Sequence, residues 1–190
     1  MESVLWYATR GAGIVSLLLL TAVMCLGLLT AGRWQRPGWP RFLTAQLHGN
    51  LALLTIAFLA IHILIAVLDP FTSLGLTAAL IPFSSPYKQV WLGLGGVALY
   101  LFAAIIASSL VRARIGRSAW RAIHWLAYGT WPLAVLHGLG TGTDTVAPWM
   151  WLINAACVGA VLVCGVARVR ATSAAQASIQ AALPSPGGRS

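Results

Sequence analysis

Charged side chains are scarce in this sequence, and acidic ones are nearly absent. Only 8% of the 190 residues are charged, 59% are hydrophobic, and Asp and Glu together occur three times. This composition is too apolar for a soluble domain. Cysteine is also rare: Cys25, Cys157 and Cys164 all lie in apolar segments and are interpreted as small packing residues. The sequence contains no Gly-rich dinucleotide-binding fingerprint, so any nucleotide-dependent reduction is expected to come from another protein.

Five apolar segments are long enough, at about 20 residues or more, to cross the hydrocarbon core of a bilayer. They cover residues 4–31, 44–68, 87–111, 120–140 and 147–168. In lipid the backbone polar groups must be satisfied within each segment, so all five are expected to be helices. The sequence therefore predicts an all-α membrane protein, with a bundle of five transmembrane helices over residues 1–170 and a flexible cytoplasmic tail over 171–190.

The basic residues cluster in alternate connections between these segments. Arginines follow the first, third and fifth segments: Arg33, Arg36, Arg41, Arg112, Arg114, Arg117, Arg121, Arg168 and Arg170. The acidic residues Glu2, Asp69 and Asp144 fall on the opposite side, where Lys88 is the only basic loop residue. This positive-inside bias predicts an outer N-terminus and a cytoplasmic C-terminus in a multi-pass plasma membrane protein, with a bacterial inner membrane favoured. The net charge of +9 thus indicates orientation and contact with membrane lipid, and does not indicate binding of nucleic acid.

All four histidines lie in two of the segments, two in each. His48 and His124 fall near the cytoplasmic ends of their segments, and His62 and His137 near the outer ends. A single intramembrane histidine is usually explained by an interhelical hydrogen bond. Four of them, paired by depth, instead favour axial ligation of two haem irons in the bundle core.

Other uses of the histidines fit the sequence less well. A zinc or copper site would need further Cys, Asp or Glu ligands nearby, and the acidic residues all lie outside the apolar segments. A proton relay usually recruits carboxylates as well. We therefore expect two haem b groups, with His48 and His124 binding the inner one and His62 and His137 the outer one.

The spacing of the histidines tests this interpretation. The 14 residues from His48 to His62 rise about 21 Å and return to within about 40° of the same helix face. The 13 residues from His124 to His137 rise about 19.5 Å but miss by about 140° on an ideal helix. Pro132 lies between them and cannot donate a backbone hydrogen bond, so the helix is predicted to be distorted near Trp131–Pro132.

The paired spacing H-x13-H and H-x12-H, in segments two apart, resembles that of the ferric reductase transmembrane domain family. The stretches TRGAG, HGNLALL, DPFTSLG and RAIHWLAYGTWPLAVLHGLGTGTD are similar to those of its small bacterial members. The resemblance covers about residues 4–168 and implies two stacked b-type haems that carry electrons across the membrane. The larger oxidases of the family add a helix before this region and a cytosolic FAD and NAD(P)H region after it, and neither is expected in this protein.

The resemblance leaves the redox partners open. A separate donor is implied on the cytoplasmic side, either a flavoprotein reductase or a quinol, and an outer acceptor such as oxygen, a ferric chelate or a partner protein. Three alternatives remain: a haem-binding subunit or sensor without catalysis, electron flow from an outer donor such as superoxide, and a histidine-dependent proton transporter.

Arg10 lies in the outer part of the first segment, where a charged side chain needs a partner. Because no acid lies within the segments, a propionate of the outer haem is the expected partner, and an arginine at the corresponding place in the related oxidases agrees. The alternative is an Arg10 side chain that reaches the membrane surface. Gly13, Gly49 and Gly138 are expected either to make room for a macrocycle or to allow close helix packing. The connection from Phe71 to Leu80 is expected to form an interfacial helix.

Overall fold

The computed structural model describes residues 2–32, 40–69, 75–142 and 144–182, and all regular elements within these ranges are helices. The seven helices are α1 (Glu2–Ala31), α2 (Arg41–Leu68), α3 (Gly75–Leu80), α4 (Gln89–Leu110), α5 (Arg112–His124), α6 (Ala127–Thr141) and α7 (Pro148–Ala182).

Four of these helices are long and apolar enough to cross a membrane. They are α1, α2, α4 and α7, and they contain candidate spans of 28, 27, 22 and 33 residues. The all-α membrane architecture is therefore confirmed. The fourth predicted segment, 120–140, is divided between the end of α5 and all of α6, neither of which reaches this length alone.

The division of this segment lies at Trp125 and Leu126, where backbone hydrogen bonds begin to reach the carbonyl three residues earlier instead of four. Leu126 N–H donates to the carbonyl of Ile123, and Tyr128 and Gly129 N–H donate to the carbonyls three residues before them. Such 3₁₀ bonding turns the chain by about 120° per residue instead of about 100°. About four residues of it recover roughly 80° of the 140° by which an ideal helix would misdirect His137 relative to His124.

The predicted position of the distortion, Trp131–Pro132, was wrong. Pro132 lies inside the continuous helix α6, six residues after Leu126. A proline ring displaces the carbonyl four residues earlier, here that of Tyr128, so the adjustment falls on the N-terminal side of the proline. The rewinding is therefore one to two turns closer to His124 than the proline itself.

Helix α1 is central to the packing. It contacts α2, α6 and α7, and α4 contacts α5 and α6. A buried cluster of Trp131, Val135 and Cys157 packs against apolar side chains of α1 and α7, and Trp131 Nε1 donates a 3.0 Å hydrogen bond to Thr21 Oγ1. Among the described residues α2 packs closely only on α1 and the short α3, and it makes few or no close backbone contacts with α4 and α6.

Two end regions bear on the sequence predictions. Helix α3 forms within the predicted interfacial segment Phe71–Leu80, of which residues 71–74 lie outside the described ranges, as do Arg33 and Arg36. Helix α7 continues to Ala182, so residues 171–182 of the predicted tail are helical, and residues 183–190 lie outside the described ranges. The alanines in this stretch have high helix propensity and extend the helix beyond the apolar segment.

Candidate metal centres between the helices

The four histidines meet in two pairs, as the sequence predicts. The ring centroids of His48 and His124 are 6.3 Å apart, and the planes of the rings are inclined at 58°. The ring centroids of His62 and His137 are 6.5 Å apart, and their planes are inclined at 79°. Each pair joins α2 to the α5–α6 segment across the space between these helices.

The separation within each pair matches that of two imidazoles on opposite sides of one metal ion. A first-row metal binds an imidazole nitrogen at about 2.0–2.1 Å and this nitrogen lies about 1.2 Å from its ring centre, so the two centroids should be about 6.5 Å apart. The observed 6.3 and 6.5 Å agree with this value. Direct hydrogen bonding or stacking of two imidazoles would bring the rings closer.

The chemistry of the ligand set favours haem over a bare metal ion. No cluster of three or more His, Cys, Asp or Glu side chains suited to a metal occurs among the described residues. Two imidazoles alone satisfy only two coordination positions, whereas zinc in structural sites needs four protein ligands. Haem iron would need only two ligands from the protein, so the two imidazoles of each pair fit it.

Two glycines that follow histidines in the sequence do not serve close packing. A Cβ atom built on Gly49 or on Gly138 would meet nothing within 4 Å, and each glycine directly follows a histidine. Close helix packing at these two glycines, one of the two expectations, is therefore wrong for the described residues.

Three of the four imidazoles are anchored through Nδ1 to a backbone carbonyl. His48 Nδ1 donates to Val23 at 3.0 Å, and His62 Nδ1 donates to Thr9 at 2.9 Å. On α4, the carbonyl of Trp91 accepts from His137 Nδ1 at 2.9 Å. A carbonyl can only accept, so Nδ1 carries the proton and, in a neutral ring, Nε2 keeps its lone pair. This is the tautomer that binds a metal through Nε2.

A glycine accompanies each of these three anchors, four residues after the accepting carbonyl. A Cβ on Gly13 would lie 3.0 Å from Cε1 of His62, and one on Gly95 would lie 2.7 Å from Cε1 of His137. At Gly27 the corresponding distance to Cε1 of His48 is 3.4 Å. Gly13 therefore makes room for an imidazole ring, which neither of the two expectations for it included.

Sequence reasoning missed Gly27 and Gly95, although a signal for the first was present. Gly13 and Gly27 have the same separation along the first segment as His48 and His62 have along the second. In two antiparallel neighbouring helices equal spacings place each glycine opposite one histidine. The matched spacing therefore pairs Gly13 with His62 and Gly27 with His48, as the structure does.

His124 differs from the other three histidines. Its Nδ1 atom is buried and has no hydrogen-bond partner among the described residues. Its ring instead contacts the Trp120 ring, with the two centroids 4.9 Å apart, and Trp120 Nε1 donates to Ser109 of α4. This imidazole is held by ring packing, without a carbonyl anchor.

Arg10 has a protein partner, contrary to the premise of its predicted role. Arg10 Nη2 lies 2.7 Å from Oδ2 of Asp144, and the Arg10 guanidinium lies 4.8 Å from the ring centre of Trp6. The two charged side chains are 14% and 35% exposed. The prediction considered only acids within the apolar segments, and Asp144 reaches Arg10 from the connection between α6 and α7. The ion pair accounts for Arg10 without a propionate.

Comparison of the chain with protein-family models, with curated proteins and with solved structures finds no match.

Proposed function

We propose that this protein is a transmembrane b-type cytochrome, in which two bis-histidine haems transfer electrons between a donor on one side of the membrane and an acceptor on the other. His48 with His124 would bind one haem, and His62 with His137 the other. Haem iron supplies one-electron redox chemistry when it is bound. The chain itself supplies the axial imidazoles, their tautomers and the apolar surroundings.

One observation carries this proposal: two imidazole pairs, each at the separation of a shared metal ion, bridge α2 and the α5–α6 segment, which do not pack closely on each other elsewhere. The pairs also differ in depth. In the continuous helix α2, the stretch from His48 to His62 corresponds to a rise of about 21 Å. Two redox centres at this separation cover most of a hydrocarbon core about 30 Å thick.

The proposed topology has five spans, with α5 and α6 together forming the fourth. The N-terminus lies outside, the C-terminus lies in the cytoplasm, and the membrane is the plasma membrane of a bacterium. The arginines of α5 and the pair Arg168 and Arg170 then face the cytoplasm, in agreement with the positive-inside rule. The His48/His124 pair becomes the inner pair and the His62/His137 pair the outer one.

The proposed donor and acceptor are separate from this chain. A flavoprotein reductase or a quinol would reduce the inner centre, and oxygen, a ferric chelate or a partner protein would be reduced outside. With His48 and His124 holding one haem and His62 and His137 the other, both protein-derived ligands of each iron would be imidazoles, so these residues would favour electron transfer without binding of a substrate to the metal. This arrangement resembles the ferric reductase transmembrane domain in its paired histidine spacing.

The function is tested in lipid vesicles that contain trapped ferricyanide, with dithionite added outside. Vesicles with the wild-type protein should consume the trapped ferricyanide much faster than protein-free vesicles. The double variants His48→Ala/His124→Ala and His62→Ala/His137→Ala, each lacking one centre, should fall to the protein-free rate. If the haems become reduced while trapped ferricyanide is consumed only at the protein-free rate, the electron-transfer proposal fails and a haem-binding subunit or sensor is favoured.

A further inference from the structure

We infer that Gly13, Gly27 and Gly95 are positioning residues that aim three of the four imidazoles, each by leaving the backbone carbonyl four residues earlier open to a histidine Nδ1. The inference rests on the proposed function for its link to haem. The cradle, meaning a carbonyl at position i and a glycine at position i+4, occurs three times in the described residues, on two different helices.

The geometry of an α-helix explains why the glycine must be at i+4. The carbonyl of residue i accepts the N–H of residue i+4, so the side chain of residue i+4 lies next to this carbonyl. A side chain at that position narrows the approach of a second donor from the side, and how large a side chain can be tolerated depends on how close the imidazole ring lies. With glycine, the imidazole ring occupies the volume of the missing side chain, and its Nδ1 reaches the carbonyl that already accepts the helical bond.

The structure predicts a graded response to alanine at the three glycines. At Gly95 the added Cβ would lie 2.7 Å from Cε1 and 2.8 Å from Cγ of His137, so the ring must move away from the Trp91 carbonyl. At Gly13 the distances to His62 are 3.0 and 3.1 Å, which a small ring shift can absorb. At Gly27 the nearest atom of His48 is 3.4 Å away, which is an ordinary van der Waals contact. Only a larger side chain, such as leucine, should displace His48.

The fourth imidazole shows what happens where the cradle is missing. Ser108 lies as many residues after Gly95 on α4 as His137 lies after His124. Ser108 is buried and has a Cβ. The neighbouring Ser109 accepts from Trp120, whose ring packs on His124. His124 Nδ1 has no partner in the described part of the chain, in agreement with a role for the glycine in the other three anchors.

The test compares wild-type protein with Gly95→Ala, Gly13→Ala, Gly27→Ala and Gly27→Leu. Gly165→Ala and Gly165→Leu are the matched controls, because Gly165 is also within a membrane helix and an added Cβ there meets nothing within 4 Å. Haem per polypeptide and the electron paramagnetic resonance of the oxidised protein are measured for each. Gly95→Ala should fall from two haems to one, and Gly13→Ala should keep two with a changed outer-haem signal. Gly27→Ala should match wild type, and Gly27→Leu should lose the inner haem.

A second measurement detects the Nδ1 hydrogen bonds of the histidines directly and does not depend on haem. With ¹⁵N-labelled histidine, nuclear magnetic resonance of the reduced or haem-free protein should show the Nδ1–H tautomer for His48, His62 and His137. Gly95→Ala should change the His137 signals alone. Unchanged His137 signals and two retained haems in Gly95→Ala would overturn the inference, as would an equal haem loss in the Gly165 controls. A haem-free wild-type protein would refute the proposed function. The tautomer spectra would still show whether the carbonyl–glycine cradle holds the three imidazoles.

Discussion

The angles between the paired imidazole planes predict the spectrum of the oxidised protein. In low-spin ferric haem each axial imidazole interacts most strongly with the iron d orbital perpendicular to its plane. Two parallel rings act on the same orbital and split the dxz and dyz levels, whereas perpendicular rings act on one orbital each and leave the levels nearly equal. Nearly equal levels retain orbital angular momentum and give a spectrum with one very large g value.

The size of the effect follows from the structure. The splitting from two equivalent planar ligands scales with the cosine of the angle between their planes. With 79° between His62 and His137 the splitting falls to roughly one fifth of the parallel value, and with 58° between His48 and His124 to roughly one half. The outer haem should therefore give the larger of two large g values.

Electron paramagnetic resonance of the oxidised protein near liquid-helium temperature measures both signals. The variant His48→Ala/His124→Ala should retain only the signal with the larger g value, and His62→Ala/His137→Ala only the other. Two rhombic signals typical of parallel imidazoles would refute this assignment of ring geometry. The same result would show that haem binding turns the rings out of the planes that packing and the carbonyl anchors impose.

Three contacts outside the histidine pairs test other parts of the structure. Asp144→Asn should lower the free energy of unfolding by about 1 kcal/mol through loss of the partly buried ion pair with Arg10, while haem content stays at two; an unchanged stability would contradict the ion pair. Trp131→Phe should cost about 1 kcal/mol in thermal unfolding by removing the hydrogen bond to Thr21, and an unchanged stability would contradict the contact. Lys88→Met should increase hydrogen exchange at the end of α6, whose last carbonyls Lys88 Nζ contacts at 3.0 and 3.2 Å.

Features that depend on position along a helix could be predicted from the sequence. A rise of about 1.5 Å per residue sets the depth of each histidine, so the pairing of His48 with His124 and of His62 with His137 follows from counting residues. The same regular rise allows the spacing of Gly13 and Gly27 to predict which histidine lies opposite each glycine. The all-α membrane class likewise follows from the length and composition of the apolar segments.

Features that depend on local hydrogen bonding or on meetings between distant segments could not be predicted. The rotation that aims His137 arises from 3₁₀ hydrogen bonding around Trp125 and Leu126. The residue types at these positions do not predict such bonding. Arg10 and Asp144 are far apart in the sequence, and their contact depends on where the α6–α7 connection lies relative to α1. A prediction limited to acids within the apolar segments therefore missed the partner of Arg10.

The central claim is tested most directly by the amount of haem b per polypeptide in purified protein, measured from the alkaline pyridine spectrum. The account predicts two haems in the wild type and about one in each of the single variants His62→Ala and His124→Ala. A wild-type value near one would contradict the second centre. A value of zero, after expression with adequate haem supply, would contradict the assignment of both imidazole pairs.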